Sequence, residues 1–111
     1  MVHLDHIGIA TDNIEKALDK YRDWGEIVHR GYSEKYKSEC VFIQCENFQL
    51  EIFRSYDSRI ERYVNQRGGL VLHHIAIEGI GEHEGAKPGM FVDFNNPKKD
   101  KNILVETVEY R

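Results

Sequence analysis

The chain has 111 residues, 41% of them hydrophobic, a formal net charge of -4 and a pI near 5.8, enough for one domain that buries its own core. That balance gives no electrostatic basis for binding nucleic acid or anionic lipid, and no apolar run nears the ~20 residues of a membrane span. Two cysteines are too few for a disulfide framework, and no signal sequence precedes the first strand, so a reducing cytoplasmic setting is expected.

Residues 3–10 alternate in polarity and predict a strand. Thr11 or Asp12 can cap a following helix, Asp12 with Glu15 having capping-box spacing. Ile14, Ala17, Leu18, Tyr21 and Trp24 then recur at helical intervals as core contacts, and Gly25 stops the run. Strands are expected at 26–33, 38–45 and 48–53, with Glu46-Asn47 as a hairpin turn and with Cys40 and Cys45 as buried thiols. Ser58 and Glu61 form a second capping box for a short helix that carries Ile60, Tyr63 and Val64 and ends at Gly68-Gly69. A strand over 71–78 follows. Gly79 to Gly89 has no apolar helical period, and the last strands fall near 89–94 and 102–109. Lys98, Lys99 and Lys101 beside Asp100 read as a solvated turn.

One pattern occurs twice. Leu4-Asp5-His6-Ile7-Gly8-Ile9 returns as Leu72-His73-His74-Ile75-Ala76-Ile77, and Phe48-Gln49-Leu50-Glu51-Ile52 returns more loosely as Leu104-Val105-Glu106-Thr107. In that register His74 matches His6, and His73 matches Asp5. His6 and Glu51 are 45 residues apart and His74 and Glu106 only 32, a deficit close to one average helix. The expected fold is α+β in two related halves, β-α-β-β-β and then a shortened β-loop-β-β that lacks the helix. Module one would take 1–56, a linker helix 57–69 and the shortened module two 70–111, together one domain.

The repeat is centred on polar residues, and this points to a site. Two imidazoles and two carboxylates, His6, His74, Glu51 and Glu106, suit one divalent ion such as Ni, Co, Zn, Mn or Mg, with positions left for water or substrate. Glu51 and Glu106 lie in apolar strand sequence, where an unpaired carboxylate is costly to bury and a cation removes the cost. On simple strand alternation each histidine shares a face with a very small residue two along, Gly8 or Ala76, which would leave open space beside the ring. Tyr32, Tyr36 and Arg54 are candidates for a cavity mouth, and His83 is expected to be exposed.

These motifs resemble the vicinal oxygen chelate superfamily, which includes glyoxalase I, methylmalonyl-CoA epimerase, extradiol dioxygenases and fosfomycin-resistance proteins. The resemblance is nearest to methylmalonyl-CoA epimerase. It rests on Leu4-Asp5-His6-Ile7-Gly8-Ile9-Ala10, on Ser58-Arg59-Ile60 with Gly68-Gly69-Leu70, and on His73-His74-Ile75-Ala76-Ile77-Glu78. It ends with Asn95-Asn96-Pro97-Lys98 ahead of Ile103-Leu104-Val105-Glu106, with Asn96 where that motif has histidine. The resemblance implies two βαβββ-type modules forming a curved mixed sheet around a metal held by His6, Glu51, His74 and Glu106, and a small-molecule substrate with neighbouring oxygens. It implies an epimerase, isomerase or glyoxalase-type lyase working through an enolate. Glu106 would be the proton shuttle, and Glu51 or, more weakly, Glu39 a second base; a non-catalytic binding protein of the same fold is the alternative. Ile75, Ile77 and Val105 would lack a covering helix, so a homodimer burying that face is expected.

Overall fold

The computed structural model describes residues 1–95 and 104–111; the turn expected around Lys98–Lys101 lies outside them. The strands are β1 (Leu4–Thr11), β2 (Glu26–Ser33), β3 (Ser38–Gln44), β4 (Gln49–Ser55), β5 (Leu70–Glu78), β6 (His83–Glu84), β7 (Met90–Phe94) and β8 (Val105–Tyr110). The helices are α1 (Ile14–Tyr21) and α2 (Ser58–Asn65), with one 3-10 turn at Arg22–Trp24. All eight strands join in one mixed sheet, ordered β2-β3-β4-β1-β5-β8-β7-β6, which curls into a half-barrel. In each half the first and last strands lie parallel, β1 beside β4 and β5 beside β8. β1 and β5 meet antiparallel, and this pair is the seam between the halves. From residue 79 to 89 there is no helix, and the matching strand is cut to the two residues of β6.

Strand alternation sorts the apolar residues into two layers. On the outer face Ile9, Val41, Ile43, Leu50 and Ile52 pack under Ile14, Ala17 and Leu18 of α1. On the inner face Phe42, Phe53, Met90, Val92 and Val108 gather with Val64, and Ile60 and Tyr63 of α2 pack against them. Both helix starts are one residue from the expected caps. The Asn13 side chain, not Thr11 or Asp12, accepts from the Lys16 N–H at 3.1 Å. Thr11 is used instead to receive the Asn13 N–H. For α2 the cap is Asp57, accepting from the Arg59 N–H at 2.9 Å, rather than Ser58. An aspartate or asparagine one position off satisfies the same unpaired N–H groups. Gly69, at φ +89°, turns the chain into β5 and leaves room for Asp12, whose Oδ2 would lie 2.5 Å from a Cβ there.

Two apolar expectations change. Trp24 is not a core contact: it sits on the 3-10 turn, 51% exposed, with its ring edge-on to Tyr21. On the outer face of the second half, Ile75, Ile77 and Val105 are half-buried rather than bare, while Leu4 and Leu72 beside them stay exposed. Cys40 is buried, whereas Cys45 is only half-buried.

Candidate metal centre

The site is built by the register of the seam. His6 pairs with Ala76, Ile7 with Ile75 and Gly8 with His74. The outer strands extend these rows, Gly8 facing Glu51 on β4 and Ala76 facing Glu106 on β8. Phe42 and Phe94 lie across from Glu51 and Glu106 on the next strands. The rows Phe42–Glu51–Gly8–His74 and Phe94–Glu106–Ala76–His6 are therefore near-copies, related by a local twofold through the Ile7–Ile75 pair. The register slips by one residue at each end of this block, between Leu4 and His6 on β1 and between His74 and Leu72 on β5. These are two β-bulges, and the extra residues are Asp5 and His73. The second bulge moves Leu72 opposite Ile9, so Leu72 does not share the face of His74 as simple alternation would have it.

The structure brings all four sequence-predicted residues to one point, and all four are buried. His6 Nε2 lies 3.1 Å from His74 Nε2, 2.9 Å from Glu106 Oε1 and 3.4 Å from Glu51 Oε1. His74 Nε2 lies 3.2 Å from Glu51 Oε1 and 3.7 Å from Glu106 Oε1. Atoms held ~2.1 Å from a shared centre are separated by about these distances. His6, His74 and Glu106 form a group whose donor atoms lie within 4.8 Å of one another and that could hold a metal ion. The chemistry fits a cation, because the converging atoms are acceptors. The remaining nitrogen of each ring is engaged elsewhere, His6 Nδ1 with Asp5 at 2.7 Å and His74 Nδ1 with His73 Nδ1 at 2.8 Å. Glu106 Oε1 is buried and accepts no hydrogen bond among the described residues. Such a group is costly unless a cation or a proton meets it.

Without an ion, a proton takes that place. Burial alone would lower His6, yet the close approach of Asp5, Glu106 and Glu51 raises it to about 11. Burial would raise Glu51, but its contacts with His6 and His74 hold it below the usual carboxylate range. His73 is lowered to about 4 by burial and by the neighbouring His74, so it is neutral. Cys40 is pushed up to about 12 by burial and then by Glu51, which leaves an inert thiol.

The open space expected beside His6, over Gly8, is filled. A Cβ on Gly8 would come 2.0 Å from Cε1 of His74, so the small residue makes room for that imidazole to cross β1 toward Glu51. The ligand space lies further along the inner face, a cavity of about 290 Å³ with Glu51, His74 and Glu106 among its walls. Phe53, Ile60, Met90 and Phe94 give it an apolar body, and Tyr36, Ser38, Ser55 and His73 add polar atoms. Of the residues suggested for the mouth only Tyr36 is there. Tyr32 is exposed, and Arg54 lies over the Tyr56 ring within 3.8 Å of Glu61. His83 is exposed, in β6 rather than in a plain loop. Glu39 alternates with Ser38 and Cys40 and so faces outward, where Tyr56 donates to it at 3.3 Å; it is not a second base for this site. Asp5 and Tyr110 escaped the sequence reading, although the repeat had matched Asp5 to His73.

No protein-family model matches the sequence, and no curated protein does. Among solved structures, a methylmalonyl-CoA epimerase from Mycobacterium tuberculosis shares 20% identity at a TM-score of 0.81, over 98% of this chain and 88% of that one. A hypothetical protein from Bacillus halodurans C-125 shares 23% at 0.84, over 99% and 95%. A variant of Streptomyces coelicolor methylmalonyl-CoA epimerase, in complex with 2-nitronate-propionyl-CoA, shares 20% at 0.82, over 96% and 95%. At this identity the likeness is one of fold, and the fold is the vicinal oxygen chelate fold of those epimerases.

Two predictions follow from the geometry. Replacing Gly8 by Ala forces the His74 ring off Glu51, so Gly8→Ala should fold but bind zinc at least tenfold more weakly by calorimetry, whereas Gly31→Ala, away from the site, should not. The second concerns pH. His6 has its folded value above its ordinary 6.5, so its contribution to ion-free stability is complete below about 6.5 and lost as pH rises toward about 11. Chelator-treated protein should therefore lose stability from about pH 7 to 10, by up to about 1.4 kcal/mol per pH unit. Excess divalent ion should reverse the trend, because ligand imidazoles must be neutral, and Glu51→Gln should flatten it. Denaturant titrations across pH, with and without the ion, give the answer; identical profiles contradict it.

Proposed function

We propose that this chain is a metal-dependent enzyme that moves a proton at a carbon next to a carbonyl, in the manner of an epimerase or a glyoxalase-type lyase. The observation that carries the reading is the buried convergence of two imidazole nitrogens and two carboxylate oxygens at a cavity that Glu51, His74 and Glu106 line. His6, His74, Glu106 and Glu51 would hold one divalent ion, of the series Ni, Co, Zn, Mn or Mg. When bound, the ion supplies Lewis-acid polarisation of substrate oxygens.

The rest is done by the chain. Phe53, Ile60, Met90 and Phe94 seat the apolar body of a small molecule and exclude water, leaving its oxygens turned toward the histidines. Glu51 is held by both imidazoles and serves mainly as a ligand. Glu106 lines the cavity, and its carboxylate has a second oxygen beside the one that meets His6, so it can take the substrate C–H proton. The neighbouring folds support carbon-acid chemistry: the Streptomyces coelicolor variant is in complex with 2-nitronate-propionyl-CoA, and a further methylmalonyl-CoA epimerase of this fold with methylmalonyl-CoA.

One observation favours a second reading, a binding protein without turnover. Among the described cavity walls the only carboxylates are Glu51 and Glu106, so those walls offer no carboxylate base outside the donor set. Elemental analysis should find about one divalent ion per chain. Glu106→Gln should lower solvent-deuterium exchange into a bound carbon acid by about 10²–10⁴-fold with a smaller loss of ion, and Glu51→Gln should be milder. Wild-type protein that binds such ligands but exchanges no proton is a binding protein.

We also propose a homodimer across the outer face of the second half, where Leu4 and Leu72 are exposed beside Ile75, Ile77 and Val105. Sedimentation should give a dimer at micromolar concentration and a monomer for Ile77→Asp. A wild-type monomer that stays soluble at that concentration overturns this part.

A further inference from the structure

Each bulge residue is the partner of the histidine that follows it. The extra residue on β1 is Asp5, and its Oδ2 accepts from Nδ1 of His6 at 2.7 Å. The extra residue on β5 is His73, whose Nδ1 meets Nδ1 of His74 at 2.8 Å. In a regular strand residue i−1 points to the face opposite residue i. The bulges are what bring Asp5 and His73 round to the same side as the rings they touch.

We propose that Asp5 and His73 are positioning residues that dictate which nitrogen each ligand histidine presents, and that they make the two ligands unequal. This rests on the reading of the site as an ion site. An imidazole that gives Nε2 to an ion must carry its proton on Nδ1. For His6 that proton has a carboxylate to go to, and the carboxylate is itself fixed, because the Tyr110 hydroxyl donates to the same Oδ2 at 2.9 Å. Tyr110 ends β8, so the hydrogen bond reaches across β5 and ties the first strand of the chain to the last. For His74 the Nδ1–H donates to the Nδ1 lone pair of His73, which places the proton of His73 on Nε2. His73 lines the cavity, so this Nε2–H is a neutral donor at the ligand wall. An anionic partner makes its imidazole a more basic ligand than a neutral partner does. His6 is thus the strong ligand and His74 the weaker one.

The test uses zinc alone, which is diamagnetic, with calorimetry for affinity and nitrogen-15 spectra of the imidazoles for protonation. Wild-type protein should show Nδ1–H and zinc-bound Nε2 on both His6 and His74. Asp5→Asn keeps an acceptor but removes the charge, and should weaken zinc binding 10–100-fold. His73→Phe should weaken it less than Asp5→Asn, and Tyr110→Phe by a few-fold. Should Asp5→Asn fail to fold, Tyr110→Phe carries the same prediction for that side of the site. Wild-type protein that binds no zinc defeats the ion-site reading itself. Zinc binding that survives Asp5→Asn, Tyr110→Phe and His73→Phe within twofold leaves that reading standing and overturns the positioning roles. A greater loss for His73→Phe than for Asp5→Asn overturns the inequality.

Discussion

The register of β1 against β5 is the constraint on which the rest of the molecule depends. A shift of one residue would turn every side chain of one strand to the opposite face. His6 and Glu51 would then no longer share a side with His74 and Glu106, and Ile7 and Ile9 would face the cavity. The register is held from both faces. Outside, the branched side chains of Ile9, Leu50 and Ile52 lock under α1. Inside, Gly8 accepts the His74 ring and no larger residue could, so the pairing of Gly8 with His74 has no neighbouring alternative. The bulges end the block on each side and stop the register from propagating as an ordinary ladder.

Around this seam the two halves have diverged without disturbing the donor set. The first half keeps a helix that covers its outer face, and the second has none among its described residues. Yet both hand a carboxylate to the same rows, because the parallel pairing of first strand with last is retained in each. The inner face is completed by α2, which belongs to neither repeat and packs Val64 and Ile60 against both halves of the inner core. A site made from the pairing pattern of the sheet tolerates loss of a helix, since no ligand comes from one.

Much of this was legible in the sequence, because strand alternation and a repeat are local properties. The doubled His-Ile-Gly/Ala-Ile motif gave the two seam strands, and the residue deficit in the second copy gave the absent helix. What escaped depends on register. Alternation places His73 on the wrong face and counts Leu72 with His74, because a bulge carries no composition of its own. The reading of Gly8 as space for a ligand failed for a related reason: the ring that fills it comes from a residue 66 positions away in the chain. Trp24 shows the limit of helical periodicity, which continued on paper past the point where the helix tightens into a 3-10 turn. The caps were missed by one residue because Asp12, Asn13, Asp57 and Ser58 can all serve, and backbone geometry chooses among them.

The local twofold through Ile7 and Ile75 has a consequence for how a ligand lies. A twofold rotation exchanges the ends of a molecule gripped by two oxygens, so a donor set with that symmetry, left to itself, would hold it equally well end for end. The walls are not symmetric. Phe53 and Ile60 stand on the side of the first half and Met90 and Phe94 on that of the second, with an aromatic–helix wall facing a strand wall. Which way round a ligand lies is thus set by the container and not by the grip. The two ends of the container differ because α2, outside both repeats, closes the inner face with Ile60.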